Sequence, residues 1–88
     1  MNVRIPTPLR SYTADEKVVV LEPAPASVAA VLAELDARFP GIRFRMVDEQ
    51  GRLREHMKVF VGQESVRDLS TAIEPADEIT IMQALSGG

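Results

Sequence analysis

The chain has no cysteine and no tryptophan, and only one histidine and one tyrosine. Without cysteine there is neither a disulfide staple nor a side-chain thiolate to act as nucleophile or metal ligand. His56 stands alone, which is too little for a recognisable zinc site, and it reads as a surface or strand-end residue. No serine lies in a Gly-x-Ser-x-Gly setting and no glycine-rich phosphate loop is present, so the common nucleophile and nucleotide motifs are excluded. No apolar run approaches the roughly 18 residues of a membrane span, and Met1-Asn2-Val3-Arg4-Ile5 lacks the apolar core of a secretion signal. A cytoplasmic protein without a membrane partner is the expectation. The net charge is −3, from ten basic and thirteen acidic residues, with no basic run, and this argues against nucleic acid. The carboxylate pairs Asp48-Glu49 and Asp77-Glu78 sit in turn sequences, where solvated acids are routine. At 88 residues a single domain buries little more than about 60% of its unfolded surface. A deep catalytic pocket does not fit that size. A module that presents a surface or a terminus does.

The patterns that are present order themselves along the chain. Val3, Ile5 and Thr7 alternate with Asn2, Arg4 and Pro6, predicting a half-buried strand. Lys17 to Leu21 is β-branched and predicts a second strand, antiparallel to the first, with its inward residues undecided because both faces are apolar. Ser27 is a suitable helix N-cap. After it Val28, Val31, Leu32, Leu35 and Phe39 form one apolar stripe, with Glu34 and Arg38 spaced as an i, i+4 pair on the other side. Pro40-Gly41 ends the helix. Arg43 to Val47 reads as a helical turn, and Asp48 to Gly51 as a turn. Met57, Val59 and Val61 alternate in a third strand, Gly62-Gln63 is a two-residue hairpin candidate, and Glu64 to Arg67 is the returning strand. A brief irregular or helical segment, Leu69 to Ile73, leads through the turn Glu74-Pro75-Ala76-Asp77 to a last strand with Ile79 and Ile81 facing the core.

This order predicts an α+β fold: a mixed sheet of four to five strands, one main helix packed on one face, and the last strand slotted beside the first. The other face is then open to solvent or to a partner. By alternation Phe60 and Met82 lie on that open face. With Leu85 they make a small apolar patch of the kind that marks protein contacts, or that packs under a loop. Residues 1–83 are expected to form the domain and 84–88 a tail. That tail ends in Gly87-Gly88. Glycine has no Cβ, so such an ending can lie extended in a channel too narrow for side chains and present its carboxylate. The same residues also fit a frayed terminus or an expression scar.

The arrangement resembles the ubiquitin-like (β-grasp) sulfur carriers, the family that includes the small subunit of molybdopterin synthase and the thiamine-pathway sulfur carrier. The matching residues are Ile5-Pro6-Thr7-Pro8-Leu9-Arg10, Lys58-Val59-Phe60-Val61-Gly62, Leu69-Ser70-Thr71-Ala72-Ile73 and Asp77-Glu78-Ile79-Thr80-Ile81. The opening is closest to carriers that serve thiocarboxylate-dependent amino-acid synthesis. Two stretches depart from the family: Pro75-Ala76-Asp77 stands where relatives often have Asp-Gly-Asp, and Ala84-Leu85-Ser86-Gly87-Gly88 replaces the usual Pro-Val-Ala-Gly-Gly.

The resemblance implies a carrier with no catalytic side chain, no metal and no bound cofactor. ATP is used by a partner, an adenylating (E1-like) enzyme that activates the Gly88 carboxylate. A sulfurtransferase or other sulfur donor then leaves a thiocarboxylate, and a sulfur-accepting biosynthetic enzyme consumes it. Ser86 and Gly87 would thread the tail into each partner, Phe60, Met82 and Leu85 would dock the body, and Arg10 would pair with acidic groups. Two other readings stay open: a ubiquitin-like modifier joined to target lysines through Gly88, and a purely non-covalent interaction domain.

Overall fold

Alternation decides the sheet. The structure, a computed structural model that describes residues 1–84, contains β1 (Asn2–Arg4), β2 (Val18–Val20), α1 (Val28–Arg38), α2 (Ile42–Met46), β3 (Met57–Val61), β4 (Glu64–Val66) and β5 (Ile79–Gln83). The strands form one mixed sheet in the order β2-β1-β5-β3-β4. β5 is central, parallel to β1 and antiparallel to β3. The two hairpins, β1-β2 and β3-β4, flank it.

On one face Val3, Val19, Met57, Val59, Ile79 and Ile81 meet Val28, Val31, Leu32 and Leu35 of α1 and Ile42 and Met46 of α2 in a single buried core. This settles the ambiguity of the second strand: Val19 and Leu21 point inward, while Val18 and Val20 are exposed. The first strand is shorter than its alternation suggests. After Ile5 the two prolines, which cannot donate to a ladder, turn the chain into a 3₁₀ turn at Thr7–Leu9, and Thr7 is exposed.

The N-terminus of α1 shows why the irregular segment before β5 is ordered. Ser27 Oγ accepts the Ala30 N–H at 3.1 Å, as an N-cap should. The remaining N–H groups of that turn find partners in the 69–73 segment: Val28 donates to the Thr71 carbonyl at 3.1 Å and Ala29 to Leu69 at 2.8 Å. Ile73 donates back to Ala26 at 3.0 Å. At the other end, Asp36 Oδ1 accepts the N–H groups of Gly41 and Arg43, both at 3.1 Å, and so starts α2. Gly41 has φ +99°, the left-handed region that favours glycine, and a Cβ there would lie a tight 3.3 Å from the Tyr12 ring, which would have to shift slightly. The expected Glu34–Arg38 pair does not form. Arg38 Nη1 instead donates to the Val20 carbonyl at 2.8 Å, tying the helix end to edge strand β2.

Candidate functional site

Because β5 is held on both sides, the chain arrives at its tail along a fixed line. The β3–β5 register pairs Met57 with Gln83. The Ala84 N–H continues this ladder, donating to the His56 carbonyl at 2.7 Å. Leu85, Ser86, Gly87 and Gly88 lie outside the described residues.

The sheet face away from the helices carries the expected apolar pair. Phe60 stands opposite Thr80 on β5 and Ser65 on β4, and Met82 stands opposite Lys58, so the two are diagonal neighbours on adjacent strands. Met82 is 48% exposed, whereas Phe60 is half-buried. On the same face Arg4 Nε lies 2.7 Å from Glu78 Oε1, an exposed ion pair that separates this patch from Val18 and Val20.

Arg10 is built into the turn that follows β1. Its Nε donates to the Ile5 carbonyl at 3.0 Å, and its own carbonyl accepts the N–H groups of Thr13 and Asp15 at 3.1 and 2.8 Å. Thr13, the one polar residue that is fully buried among those described, closes the turn by donating from Oγ1 to Glu16 at 2.9 Å. Arg10 therefore holds local structure, and only its guanidinium tip is left for a partner.

A further group was not singled out by its pattern. Beside Gln83 an open groove is lined by Pro8, Leu9, Phe44, Arg45, Arg54 and His56. The Arg54 guanidinium lies over the Phe44 ring, 4.8 Å from its centroid, and its Nε donates to the Phe44 carbonyl at 2.9 Å. Arg45 lies 6.0 Å from the Tyr12 ring centroid. Nearby Arg52 is differently placed. Asp48 accepts the backbone N–H of Arg52 at 3.0 Å and of Gln50 at 2.9 Å, and faces the Arg52 guanidinium at 3.7 Å. The Arg52 N–H bond above all, then that of Gln50 and the charges of Arg52 and Arg54, holds the Asp48 carboxyl below its ordinary range, against a partial desolvation. A signal for the groove existed in the sequence: four of the eight arginines fall between residues 43 and 54, interleaved with Phe44.

The comparisons with known proteins bear on this geometry. Residues 3–88 match the ThiS family. The chain belongs to the ThiS family. The match runs through both terminal glycines. Over its whole length the chain is 36% identical to the sulfur carrier protein CysO of Mycobacterium tuberculosis, covering 98% of that protein. The crystal structure of M. tuberculosis CysO superposes with a TM-score of 0.87 at 35% identity, covering 96% of this chain and 98% of CysO. A chain of the Amycolatopsis orientalis BexX/CysO complex gives 0.87 at 36% identity, covering 99% of this chain and 98% of that one. SAMP1 of Haloferax volcanii gives 0.81 at 25% identity, covering 100% and 98%. The α+β, β-grasp expectation holds for this ThiS-family member, with five strands and one main helix on one face.

Proposed function

We propose that this ThiS-family protein is a sulfur carrier that works through the Gly88 carboxylate. An E1-like adenylating enzyme lets that carboxylate attack the α-phosphorus of ATP, releasing pyrophosphate and leaving an acyl-adenylate with a good leaving group. The terminal sulfur of a persulfide, held by a sulfurtransferase or other donor, attacks the carbonyl and AMP departs. Attack of a thiol on the new S–S bond releases the Gly88 thiocarboxylate. A biosynthetic enzyme takes that sulfur into cysteine, a related amino acid or another sulfur-containing metabolite, and hydrolysis by water of the Gly88 acyl bond restores the carboxylate. Every catalytic group belongs to a partner, so the protein is a co-substrate, working where ATP is found, in the cytoplasm.

The observation that carries this reading is the 36% identity to a sulfur carrier protein across the whole chain, tail included. Phe60, Met82 and Leu85 are assigned to docking the body, Arg10 to an acidic group of a partner, and Ser86 and Gly87 to the thread. A CysO chain crystallised as a complex with BexX supports a stable second protein on carriers of this shape. Deletion of Gly87-Gly88 tests the reading. The truncated protein should keep its thermal transition and support no ATP–pyrophosphate exchange with an activating enzyme. Exchange equal to that of the intact chain would contradict it.

One observation favours a second reading, a protein modifier: the likeness to SAMP1, a small archaeal modifier protein. Lys17 and Lys58, both exposed, are the only two lysines that could accept a further copy, so chain building would be limited while single attachments through Gly88 would not. An isopeptide adduct on cellular proteins marks the modifier, and a free thiocarboxylate marks the carrier.

A further inference from the structure

We propose that the groove at the root of the tail is a cationic seat for an acidic channel mouth on the enzyme that charges Gly88. The inference rests on the carrier reading and adds to it a docking surface distinct from the open sheet face.

Reach is the first argument. Ala84 is fixed to His56. A fully extended residue spans at most about 3.6 Å, so four more residues carry Gly88 no further than about 14 Å from that point. An enzyme whose reactive centre meets Gly88 must bring the rim of its channel against whatever surrounds Gln83. That surround is Pro8, Phe44, Arg45, Arg54 and His56.

Charge is the second. The protein is net −3, so its overall field does not attract an acidic partner. The groove inverts that sign locally. Arg52 faces Asp48 and Arg4 faces Glu78. Among the described residues no carboxylate lies within ion-pair distance of Arg45 or Arg54. Arg54 acts on Asp48 only at longer range, and the two guanidinium groups beside Gln83, without a close carboxylate among the described residues, attract carboxylates and repel basic surfaces, which sets orientation and encounter rate.

Pre-organisation is the third. Arg54 uses Nε on the Phe44 carbonyl and lies over that ring, so the two outer nitrogens of its fork are left for a partner with the stem already held. Holding a long side chain this way lowers the ordering cost of binding. Phe44 is 56% exposed and supplies the apolar centre beside the two charges, the residue class enriched at interface cores.

The experiment is steady-state charging of the full chain by its activating enzyme, varying carrier, ATP and salt. Three proteins are compared: wild type, R45Q/R54Q, and R38E. R38E changes the net charge equally but lies by Val20, at the far end of the sheet. For R45Q/R54Q the KM for the carrier should rise about tenfold at low salt, with kcat and the KM for ATP within twofold. Its KM should lose most of the salt dependence that wild type and R38E retain. The wild-type salt dependence is read on unaltered protein, so a folding defect in the variant does not decide the outcome. A wild-type KM that ignores salt overturns the inference, as does an R45Q/R54Q KM matching wild type, and the carrier reading survives either result. A rise in the KM for ATP alone also overturns it. A wild-type chain that is never charged overturns both.

Discussion

Arg67 illustrates how single residues hold this small domain together. Its Nη1 donates to the Met57 carbonyl at 2.9 Å, and its Nη2 to Leu53 at 2.8 Å and Arg54 at 3.0 Å. One guanidinium thus gathers the carbonyls that lead into β3, a task that a planar fork performs and an ammonium does not. Arg67→Ala is expected to lower the unfolding free energy by about 1–2 kcal/mol, the usual worth of charged hydrogen bonds at a partly open site. Arg67→Lys is expected to restore less than half of that. Urea denaturation measures both. Arg54 and His56 of the groove belong to the stretch that Arg67 anchors.

At the scale of elements, β5 does two jobs with alternate residues. Ile79 and Ile81 close the core while Thr80 and Met82 face outward. Ile81→Ala should cost about 3 kcal/mol of stability through a cavity in the centre of the sheet. Met82→Ala should leave stability within about 0.5 kcal/mol, as befits an exposed site, yet weaken charging by a partner. Equal stability losses at the two positions, read by denaturation, would contradict this division.

The alternation of Ile79 and Ile81, the Ser27 cap and the α1 stripe were legible in the sequence because each is a local period or a local hydrogen bond. The end of β1 was less so: Pro6 and Pro8 act through a missing donor that alternation does not register. The Glu34–Arg38 spacing misled because a carbonyl on β2, distant in sequence, attracts Arg38 instead. The groove escaped for a related reason. Phe44, Arg54 and Gln83 are far apart in the chain, and only the parallel β1–β5 pairing and the α2 turn bring Pro8, Phe44 and Gln83 to one place.

The whole molecule is a clamp for the last strand. Two hairpins grip β5, one face of the sheet is sealed by α1 and α2, and the other carries Phe60 and Met82. Such a body needs no reactive side chain if the reaction takes place on the carboxylate beyond Ala84. The central claim is therefore chemical and has a direct readout: the intact mass of the protein after incubation with ATP, an activating enzyme and a sulfur donor. The account predicts a product in which one oxygen is replaced by sulfur, formed only with ATP and absent when Gly87-Gly88 is deleted. An unchanged mass across several such enzymes, or the same gain in the truncated protein, would contradict it.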